Sequence, residues 1–306
     1  MNAPSDQAET LPISFCGGRR LIGISPWKNP VEPTISVVTV TFNAKGSLLQ
    51  TLRSVREQTY CNVEYIVIDG GSTDGTLEVL REHSQDIDYW VSERDNGIYD
   101  AFNKGSKTLT GEWTIFLGAG DILHSENVLK EIAKAATAVS PEVEILYGQV
   151  AIVSLDGRLV EIENAAWSET KGRWSGGRPL IPHHQGVFHR RALLAGDTPF
   201  DTSYRICADS KLVIRSVLKH EPRFANVLVT SSPLGGISTQ PKYAWLRAKE
   251  VLRVNREVEY RNVLNEGFFY LKTVTKILLQ KFGGEQVLKR ATDLYRRSTG
   301  RTARWN

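Results

Sequence analysis

Cysteine is scarce in this chain, which contains only Cys16, Cys61 and Cys207 among its 306 residues. Their number is odd and none of them stands in a C-x-x-C spacing, so neither a disulfide framework nor a structural zinc site is expected. The composition therefore excludes the small secreted class of disulfide-stabilised proteins and predicts a reducing compartment.

Long apolar runs are also missing. The first thirty-odd residues include Asp6, Glu9 and several other polar residues, without the apolar stretch of about 7–15 residues that a secretory signal needs. No predominantly apolar run reaches the roughly 18 residues that would span a bilayer. We expect a cytoplasmic protein that at most lies on the inner face of the cell membrane.

A large excess of charge is lacking overall, since 38 Lys and Arg oppose 34 Asp and Glu. The balance is uneven, because residues 240–306 hold fifteen basic residues against six acidic ones. This basic tail has three interpretations: solvated helix faces, a platform on anionic lipid near a lipid-linked acceptor, or a nucleic-acid surface. No recognised nucleic-acid-binding motif accompanies the charge, so no nucleic-acid partner is predicted.

The pattern along the chain predicts an arm, a domain and an extension. Residues 1–33 hold five prolines and no clear period, which predicts a loosely ordered N-terminal arm. Over residues 34–240 short apolar strands alternate with helical segments, which is typical of an α/β fold with a mainly parallel sheet. A hairpin is predicted around Asp156-Gly157. Residues 241–306 predict two or three amphipathic helices, broken near Gly283-Gly284.

Short patterns predict three local details. Ser47 and Gln50 form a capping-box pattern at the start of the first helix. Asp74 is a candidate N-cap for the second helix. Gly105 is expected to close a helix that begins near Ile98.

Acidic residues follow two of the apolar strands, at the sheet edge where open α/β folds hold ligands. Asp69 could accept hydrogen bonds from a base or ribose, or it could form an Asx turn that ends a strand. Asp121 follows small residues and could hold Mg²⁺ or Mn²⁺ when substrate phosphates complete the octahedron, or it could be another turn residue.

A helical segment carries a further polar face. Asp100, Asn103 and Lys104 lie at i, i+3 and i+4 and therefore share that face. Lysine beside a carboxylate and an amide could bind phosphate oxygens. The alternative is a surface ion pair between Asp100 and Lys104, which would contribute little stability.

Four segments, taken in order, resemble the motifs of the family 2 glycosyltransferases, most closely those of bacterial enzymes that build exopolysaccharide repeat units of the colanic-acid type. The segments are Val38-Thr39-Val40-Thr41-Phe42-Asn43, Ile68-Asp69-Gly70-Gly71-Ser72-Thr73-Asp74-Gly75-Thr76, Ser92-Glu93-Arg94-Asp95-Asn96-Gly97-Ile98-Tyr99-Asp100-Ala101-Phe102-Asn103-Lys104-Gly105 and Leu117-Gly118-Ala119-Gly120-Asp121. The likeness covers about residues 34–240. The chain departs from the commonest pattern at Gly118 and Gly120, where many members have acids.

The resemblance implies a GT-A fold, a nucleotide-diphosphate-sugar donor, a divalent metal ion and inversion at the anomeric carbon. Thr41 and Asn43 would border the nucleotide, Asp69 would contact the base, and Asp95 would lie near the ribose or diphosphate. Asp121 matches the last residue of the metal motif. The predicted donor-binding residues are Thr41, Asn43, Asp69, Asp95, Asn103, Lys104, Ala119 and Gly120.

The resemblance also implies a catalytic base. The segment from Asp201 to Asp209 resembles the one in which the family places this residue, and Asp209 is the matching acid. An inverting transfer is a single displacement, so one carboxylate must take the proton of the acceptor hydroxyl. The alternative for Asp209 is a first-turn acid favoured by the helix dipole.

The histidine-rich segment around residue 184 has no spacing typical of zinc sites and no cysteine partner. The family carries a similar His-Gln pair beside the acceptor, which implies that His184 and Gln185 contact the acceptor or the diphosphate. A plain loop is the alternative.

The leading hypothesis is therefore an inverting, metal-dependent glycosyltransferase of the hexosyltransferase type. It would move a sugar from a nucleotide donor to a lipid-linked or oligosaccharide acceptor in polysaccharide synthesis. A degenerate GT-A scaffold in a polysaccharide assembly complex is the alternative, motivated by Gly118 and Gly120. A nucleotidyltransferase ranks last, because the first strand runs into Thr41-Phe42-Asn43 and lacks a glycine-rich, arginine-bearing loop.

Overall fold

The computed structural model describes residues 14–29, 31–154, 156–236, 238, 240–300 and 302–305. The strands are β1 Phe15–Gly17, β2 Ile35–Thr41, β3 Val63–Asp69, β4 Tyr89–Ser92, β5 Trp113–Gly118, β6 Ile122–Leu123, β7 Ile145–Val153, β8 Leu159–Glu163, β9 Trp174–Ser175, β10 Arg178–Pro179, β11 Val187–Arg190 and β12 Arg223–Pro233. The helices are α1 Lys45–Arg56, α2 Thr76–Glu82, α3 Ile98–Thr108, α4 Val128–Ala136, α5 Trp167–Thr170, α6 Ala208–Val217, α7 Ala244–Glu257 and α8 Val263–Ser298.

Four neighbouring strands, β4-β3-β2-β5, run parallel and form the centre of the main sheet. Each is joined to the next in sequence by a helix, as expected for crossover connections. The register places Thr41 beside Asp69 and Asp69 beside Ser92. Gly118 lies beside Val40. The residues that follow these strands therefore meet at one edge.

The second half of the sheet is built around β7. Strand β11 is antiparallel to both β5 and β7, while β12 is parallel to β7. The hairpin expected around Asp156-Gly157 is confirmed, since β7 and β8 pair antiparallel. The α/β fold with a mainly parallel central sheet and a C-terminal helical extension is confirmed as well.

Alternate residues of the central strands point to opposite faces of the sheet, because side chains alternate along a strand. Val38 and Phe116 belong to the core on the face that carries α3, α6 and α7. Val37 and Ile115 belong to the core on the face that carries α1, α2 and α4. All four side chains are buried, so the central strands are covered on both sides.

Part of the N-terminal arm is ordered, which corrects the expectation of a loosely ordered segment over residues 1–33. Strand β1 pairs antiparallel with β4 and covers the edge of the sheet. Arg19 donates to the buried Asp88 at 2.8 Å, and Arg20 pairs with the buried Glu64. Buried carboxylates need such partners, and sequence periodicity does not reveal them. Residues 1–13 lie outside the described residues.

The C-terminal segment is helical, and α8 is interrupted where φ of Gly284 is 76°, as expected near Gly283-Gly284. In the described part of the chain no helix is long and apolar enough to cross a membrane. Val251 and Val254 of α7 belong to the same core as the central strands. The start of the predicted extension therefore packs into the core of the predicted domain, and the division into residues 34–240 and 241–306 stays a proposal.

Two predicted caps differ from the structure. Helix α1 begins at Lys45 after Ala44, so the capping box at Ser47 is wrong. Asp74 lies one residue before the N-cap Gly75 of α2. Its carboxylate accepts from the backbone N–H of Thr76 at 3.1 Å and from that of Lys45 at 3.0 Å. The Asp74 carboxylate thus accepts hydrogen bonds from backbone N–H groups at the starts of both α1 and α2.

Gly105 does not end α3, which continues to Thr108. A Cβ at this position would lie 2.6 Å from Cγ1 of the buried Val38. Alanine favours a helix by about 1 kcal/mol over glycine, but overpacking a core costs about 1–3 kcal/mol. We expect Gly105→Ala to lower the free energy of unfolding by about 1 kcal/mol, measured by urea denaturation.

Gly267→Ala is the matched control, because Gly267 is inside α8 with open space where its Cβ would be. This variant should be neutral or slightly more stable. A Gly105→Ala protein as stable as the Gly267→Ala protein would contradict the close approach of α3 to β2.

Candidate active site

Asp69 ends β3 and is fully buried. Its Oδ2 accepts from the Ser72 N–H at 3.0 Å and from the Ser92 hydroxyl at 2.6 Å, while its Oδ1 accepts from the Ser72 hydroxyl. The backbone bond comes from the third residue after Asp69, whereas the Asx turn considered as the alternative to base contact would use the second. The carboxylate fixes the β3 and β4 ends against each other at the ligand edge, and contact with the base stays a prediction.

Thr41 and Asn43 follow β2 at the same edge. The Thr41 hydroxyl is buried and has no hydrogen-bond partner among the described residues. Asn43 adopts φ of 48°, a left-handed conformation that asparagine tolerates. Its Oδ1 accepts from the Thr73 N–H at 2.9 Å, and its own N–H donates to the Ser72 hydroxyl at 2.7 Å. The loops after β2 and β3 are therefore tied together, beside one polar group without a partner.

Asp95 follows β4 and lies against the loop after β3. A Cβ at Gly70 would be 2.4 Å from Asp95 Oδ2, so a side chain at position 70 would displace this carboxylate. Burial raises the pKa of Asp95, and the negative charges of Asp100 and Asp69 add to the increase. The Gly97 N–H and Lys104 act in the opposite direction. At this edge of the sheet, the Asp95 carboxylate therefore interacts with two other carboxylates and with one lysine.

The three polar residues predicted to share one face of α3 contact different parts of the protein. Asn103 is buried and exchanges two hydrogen bonds with the backbone of Phe200, at 2.8 and 2.9 Å. Lys104 pairs with Glu93 at 2.9 Å, in place of the surface pair with Asp100. Asp100 instead accepts from the Asn96 N–H at 2.9 Å. These contacts account for the residues structurally, and their contact with donor stays a prediction.

Asp121 lies in the tight loop after β5. Its carboxylate accepts from the Gly118 N–H at 2.9 Å and from the Ser232 hydroxyl of β12. Gly120 adopts φ of 105°, which favours glycine, and donates its N–H to Thr51 at 2.9 Å. The Ala119 N–H donates to the Val40 carbonyl at 3.2 Å. Backbone geometry therefore accounts for the glycine at position 120.

Burial raises the pKa of Asp121 above its ordinary value, against its two hydrogen bonds and the neighbouring His183. The Nδ1 atom of His183 is itself buried without a partner among the described residues. Within that part of the chain, no group of three or more His, Cys, Asp or Glu side chains could hold a metal ion alone. Asp121 and His183 fit a divalent ion only if substrate phosphates supply most ligands.

Asp209 lies in the first turn of α6 and is half-buried. Its Oδ1 accepts from the Tyr99 hydroxyl at 2.8 Å, and no described residue donates a hydrogen bond to its Oδ2. Burial, with the Asp209 charge adding to it, raises the pKa of Tyr99 well above its ordinary value, so the phenol keeps its proton. One carboxylate oxygen is thus oriented while the other can accept a proton.

Glu250 of α7 holds the segment before Asp209 in place. This buried carboxylate accepts from the backbone N–H groups of Arg205, Ile206 and Cys207 at 2.8, 2.9 and 3.0 Å. Glu250 could not be predicted from the sequence, because its partners lie more than forty residues away along the chain. The C-terminal extension therefore positions the candidate base.

His184 lies between α3 and α6, and Gln185 follows it in the same short helical turn. Both ring nitrogens of His184 are buried without partners among the described residues, and its ring stacks on Phe102 with centroids 5.4 Å apart. Burial lowers the pKa of His184, while the charge of Asp209 opposes the decrease. Gln185 contributes its carbonyl to the Thr230 hydroxyl at 2.9 Å. The contact of this pair with acceptor stays a prediction.

Two neighbouring histidines interact electrostatically with the two acids: His183 lowers the pKa of Asp121, and the charge of Asp209 raises the pKa of His184, each against the larger effect of burial. From the sequence, His183 belonged only to a histidine-rich segment without the spacing of a zinc site. The burial of its Nδ1 atom without a hydrogen-bond partner among the described residues is visible only in the fold.

His189 gives the site a pH-dependent stability. Burial lowers its pKa from 6.5 to about 3, with His184 adding to the decrease. Below about pH 6.5 His189 is protonated in the unfolded chain but stays neutral in the folded chain. The free energy of unfolding therefore decreases by about 1.4 kcal/mol per pH unit as the pH falls from there towards 3. We expect His189→Phe to remove about that slope in urea denaturation between pH 4.5 and 6.5.

The aromatic replacement suits this position because Phe116 and Phe200 surround the ring, with centroids 5.7 and 6.3 Å away. His124→Asn is the control, since His124 is exposed. Equal slopes in the wild type and the His189→Phe protein would contradict this assignment.

Comparison with solved structures supports the class of fold. The mannosyltransferase PcManGT from Pyrobaculum calidifontis, solved with GDP-Man and Mn²⁺, superposes with a TM-score of 0.57 at 17% identity, over 92% of this chain and 80% of that one. TarS of S. aureus, residues 1–349, superposes with a TM-score of 0.52 at 16% identity, over 81% of this chain and 72% of that one. At such identities the likeness concerns the fold, which is of the GT-A type.

The family follows from the sequence comparison. Residues 36–193, more than half of the chain, match Glycosyl transferase family 2, and the chain belongs to that family. A PGL/p-HBAD biosynthesis glycosyltransferase of Mycobacterium bovis is 31% identical over 219 residues, which cover 67% of this chain and 79% of the relative. An uncharacterized glycosyltransferase of Mycobacterium tuberculosis is 33% identical over 192 residues, 62% of this chain and 71% of the relative.

Proposed function

We propose that this protein is an inverting glycosyltransferase that moves one sugar from a nucleotide-diphosphate sugar to a hydroxyl group of a lipid-linked acceptor. The observation that carries the proposal is that Asp121 and Asp209 each interact electrostatically with one of two adjacent histidines, His183 and His184. Asp121 is a buried acid suited to a metal–diphosphate complex, and Asp209 is a half-buried acid with one oxygen that accepts no hydrogen bond from a described residue. That is the division of tasks an inverting displacement needs.

The donor would occupy the edge formed by the ends of β2, β3, β4 and β5. The buried Thr41 hydroxyl without a partner can hydrogen-bond to the nucleotide there. Asp95 and Lys104 lie near each other at this edge, and the lysine can balance charge on the diphosphate. A donor is held across several strand ends, as ligands of open α/β sheets usually are.

In the proposed reaction, Asp209 Oδ2 takes the proton of the acceptor hydroxyl. The acceptor oxygen forms a bond to the anomeric carbon while the bond from that carbon to the diphosphate oxygen breaks, and the diphosphate leaves with the electron pair. Asp121 and His183 would hold a divalent ion, which stabilises the negative charge developing on the leaving group. Tyr99 and Glu250 keep Asp209 oriented.

The acceptor would approach beside His184 and Gln185, in front of Asp209. His184 is expected to be neutral there because burial lowers its pKa. A neutral imidazole can donate one hydrogen bond and accept another, which suits a sugar hydroxyl or a phosphate oxygen. Synthesis of a polysaccharide or glycolipid at the inner face of the cell membrane would supply such acceptors.

The direct test mixes the purified protein with a panel of nucleotide sugars, Mn²⁺ or Mg²⁺ and a lipid-linked acceptor, and measures release of nucleoside diphosphate. We expect one donor to give release that requires both the acceptor and the metal. Absence of release with every donor would contradict the proposed activity.

A scaffold without catalysis is the second candidate, favoured by Gly118 and Gly120 in the metal loop. Calorimetric titration of nucleoside diphosphate with and without Mn²⁺ separates the two. A catalyst should bind the nucleotide more tightly with Mn²⁺, whereas a scaffold need not bind it at all.

A further inference from the structure

The outer face of α8 carries an apolar stripe that no described residue covers. Its members are Leu264, Phe268, Leu271, Leu278 and Phe282, which are 85%, 59%, 62%, 49% and 78% exposed. They follow one another at steps of four, three, seven and four residues, which places them on a single helix face. We call this set the α8 stripe. An exposed apolar surface of this kind marks an interaction site.

The opposite face of α8 is fixed to the body of the protein. Phe269 and Thr273 are buried, and the buried Glu266 accepts from the Asn255 side chain of α7 at 3.0 Å. Phe269 also fills the space beside Gly177, where a Cβ would come within 2.3 Å of its ring. The helix therefore cannot turn its α8 stripe inward without breaking these contacts.

Charge on this part of α8 has one sign at the surface. Between Val263 and Gly283 the basic residues are Lys272, Lys276 and Lys281, and the single acid, Glu266, is buried and paired with Arg261 at 2.7 Å. The Lys272 ammonium donates to the Tyr295 hydroxyl at 2.5 Å and lies 5.1 Å from the ring centre of Phe268, and that of Lys281 lies 5.6 Å from the ring centre of Phe282. Helical spacing puts Lys272 and Lys281 on opposite borders of the α8 stripe.

We propose that the α8 stripe docks the protein onto an anionic lipid bilayer. The stripe would lie in the boundary between headgroups and acyl chains, with Lys272 and Lys281 contacting lipid phosphates. From Leu264 to Phe282 the helix extends about 27 Å, enough for it to lie along the surface.

A second copy of the chain is the competing occupant, and charge argues against it. Two such stripes packed face to face would bring their lysine borders together, with no exposed acid between Val263 and Gly283 to balance them. Like charges across an interface are unfavourable. An anionic lipid surface is complementary to the same pattern.

Docking in this way would place the site near the membrane. Helix α8 packs on α7 through Glu266 and Asn255, and Glu250 of α7 holds the segment before Asp209. This inference goes beyond the proposed function, because membrane binding requires neither donor nor acceptor. It would, however, explain how a water-soluble donor and a lipid-linked acceptor meet at one site.

The test is co-sedimentation of the full chain with vesicles of phosphatidylcholine alone or of phosphatidylcholine mixed with phosphatidylglycerol. We expect at least about ten-fold stronger binding to the anionic vesicles, weakened by added salt. The double variant Phe268→Ser with Phe282→Ser should bind at least about ten-fold more weakly, since each aromatic side chain contributes apolar area. Lys272→Gln with Lys281→Gln should lose most of the preference for anionic lipid.

Leu21→Ser with Ile22→Ser is the matched control, because these residues are 55% and 63% exposed and lie beside β1, outside α8. This control should bind vesicles as the wild type does, and all variants should show the wild-type melting temperature. Equal loss in the control, or no binding of wild type to anionic vesicles, would overturn the inference. So would light scattering that shows a dimer which the Phe268→Ser and Phe282→Ser changes dissociate.

The proposed function is distinguishable in the same samples. Nucleoside diphosphate release with a water-soluble acceptor reports on catalysis alone. An active protein that ignores anionic vesicles would refute docking only, and a vesicle-bound protein that turns over no donor would refute catalysis only.

Discussion

Asp209→Asn is expected to lower kcat by about 10²- to 10⁴-fold, the usual contribution of a general base, while the Kd for the nucleotide sugar stays the same. Asparagine keeps the size of the side chain, and its carbonyl oxygen can still accept from the Tyr99 hydroxyl, which now lies 2.8 Å from Asp209 Oδ1. The variant removes the negative charge and the capacity to take a proton, while the size of the side chain is kept. Steady-state rates and calorimetry of donor binding measure the two effects separately.

Asp197→Asn is the control, because this exposed acid lies in the same loop region upstream of α6. It should leave kcat and donor affinity unchanged. Tyr99→Phe should lower kcat by about ten-fold without affecting donor affinity, since it removes one hydrogen bond that orients the base. Full activity in Asp209→Asn, or an equal loss in Asp197→Asn, would contradict the assignment of the base.

Asp121→Asn is expected to lower kcat/KM by at least about 100-fold, because stabilisation by a metal ion contributes several kcal/mol to the transition state. The amide cannot supply the negative charge that a divalent ion favours. Folding should survive the change, since the Asp121 carboxyl is buried with a raised pKa and a neutral group is tolerated there. Calorimetry with Mn²⁺ and nucleoside diphosphate should show loss of the metal-dependent binding.

Two companion variants sharpen this result. Asp156→Asn changes an exposed acid in the hairpin turn and should leave metal dependence unchanged. His183→Ala should raise the Mn²⁺ concentration needed for half-maximal rate by about ten-fold, if its unpartnered Nδ1 contributes to the site. Metal-dependent binding that persists in Asp121→Asn would refute the metal role of this residue.

The parts of the fold that the sequence predicts are those specified by neighbouring residues. The β-branched run from Ile35 to Thr41 reads as a buried strand because each side chain favours that backbone and both faces are apolar. Asp156-Gly157 identifies its hairpin because the turn depends on those two residues. The break in α8 near Gly284 is also predicted from local residues, since glycine tolerates the positive φ found there.

The contacts that the sequence does not predict join residues distant along the chain. Phe200 is 97 residues from Asn103, so nothing local indicates that Asn103 has a structural partner. The pairing of β1 with β4 depends on an exposed sheet edge, and an arm rich in proline shows no periodicity that would reveal it.

The same limit applies to the candidate site. Asp69 and Asp121 could be located because both follow strands that end at one edge. The connection of His183 to Asp121 and of His184 to Asp209 depends on the return of β11 between β5 and β7, which is a property of the whole sheet. Motif order placed these acids on one list of candidates, and the fold adds that Asp121 and Asp209 interact electrostatically with neighbouring residues of the chain, His183 and His184.

The proposed mechanism depends most on inversion of configuration at the anomeric carbon. Nuclear magnetic resonance of the product, recorded soon after transfer from a donor of known configuration, gives the anomeric configuration of the new linkage. We predict the configuration opposite to that of the donor, because Asp209 would act as the base of a single displacement. A product that retains the donor configuration would contradict this mechanism.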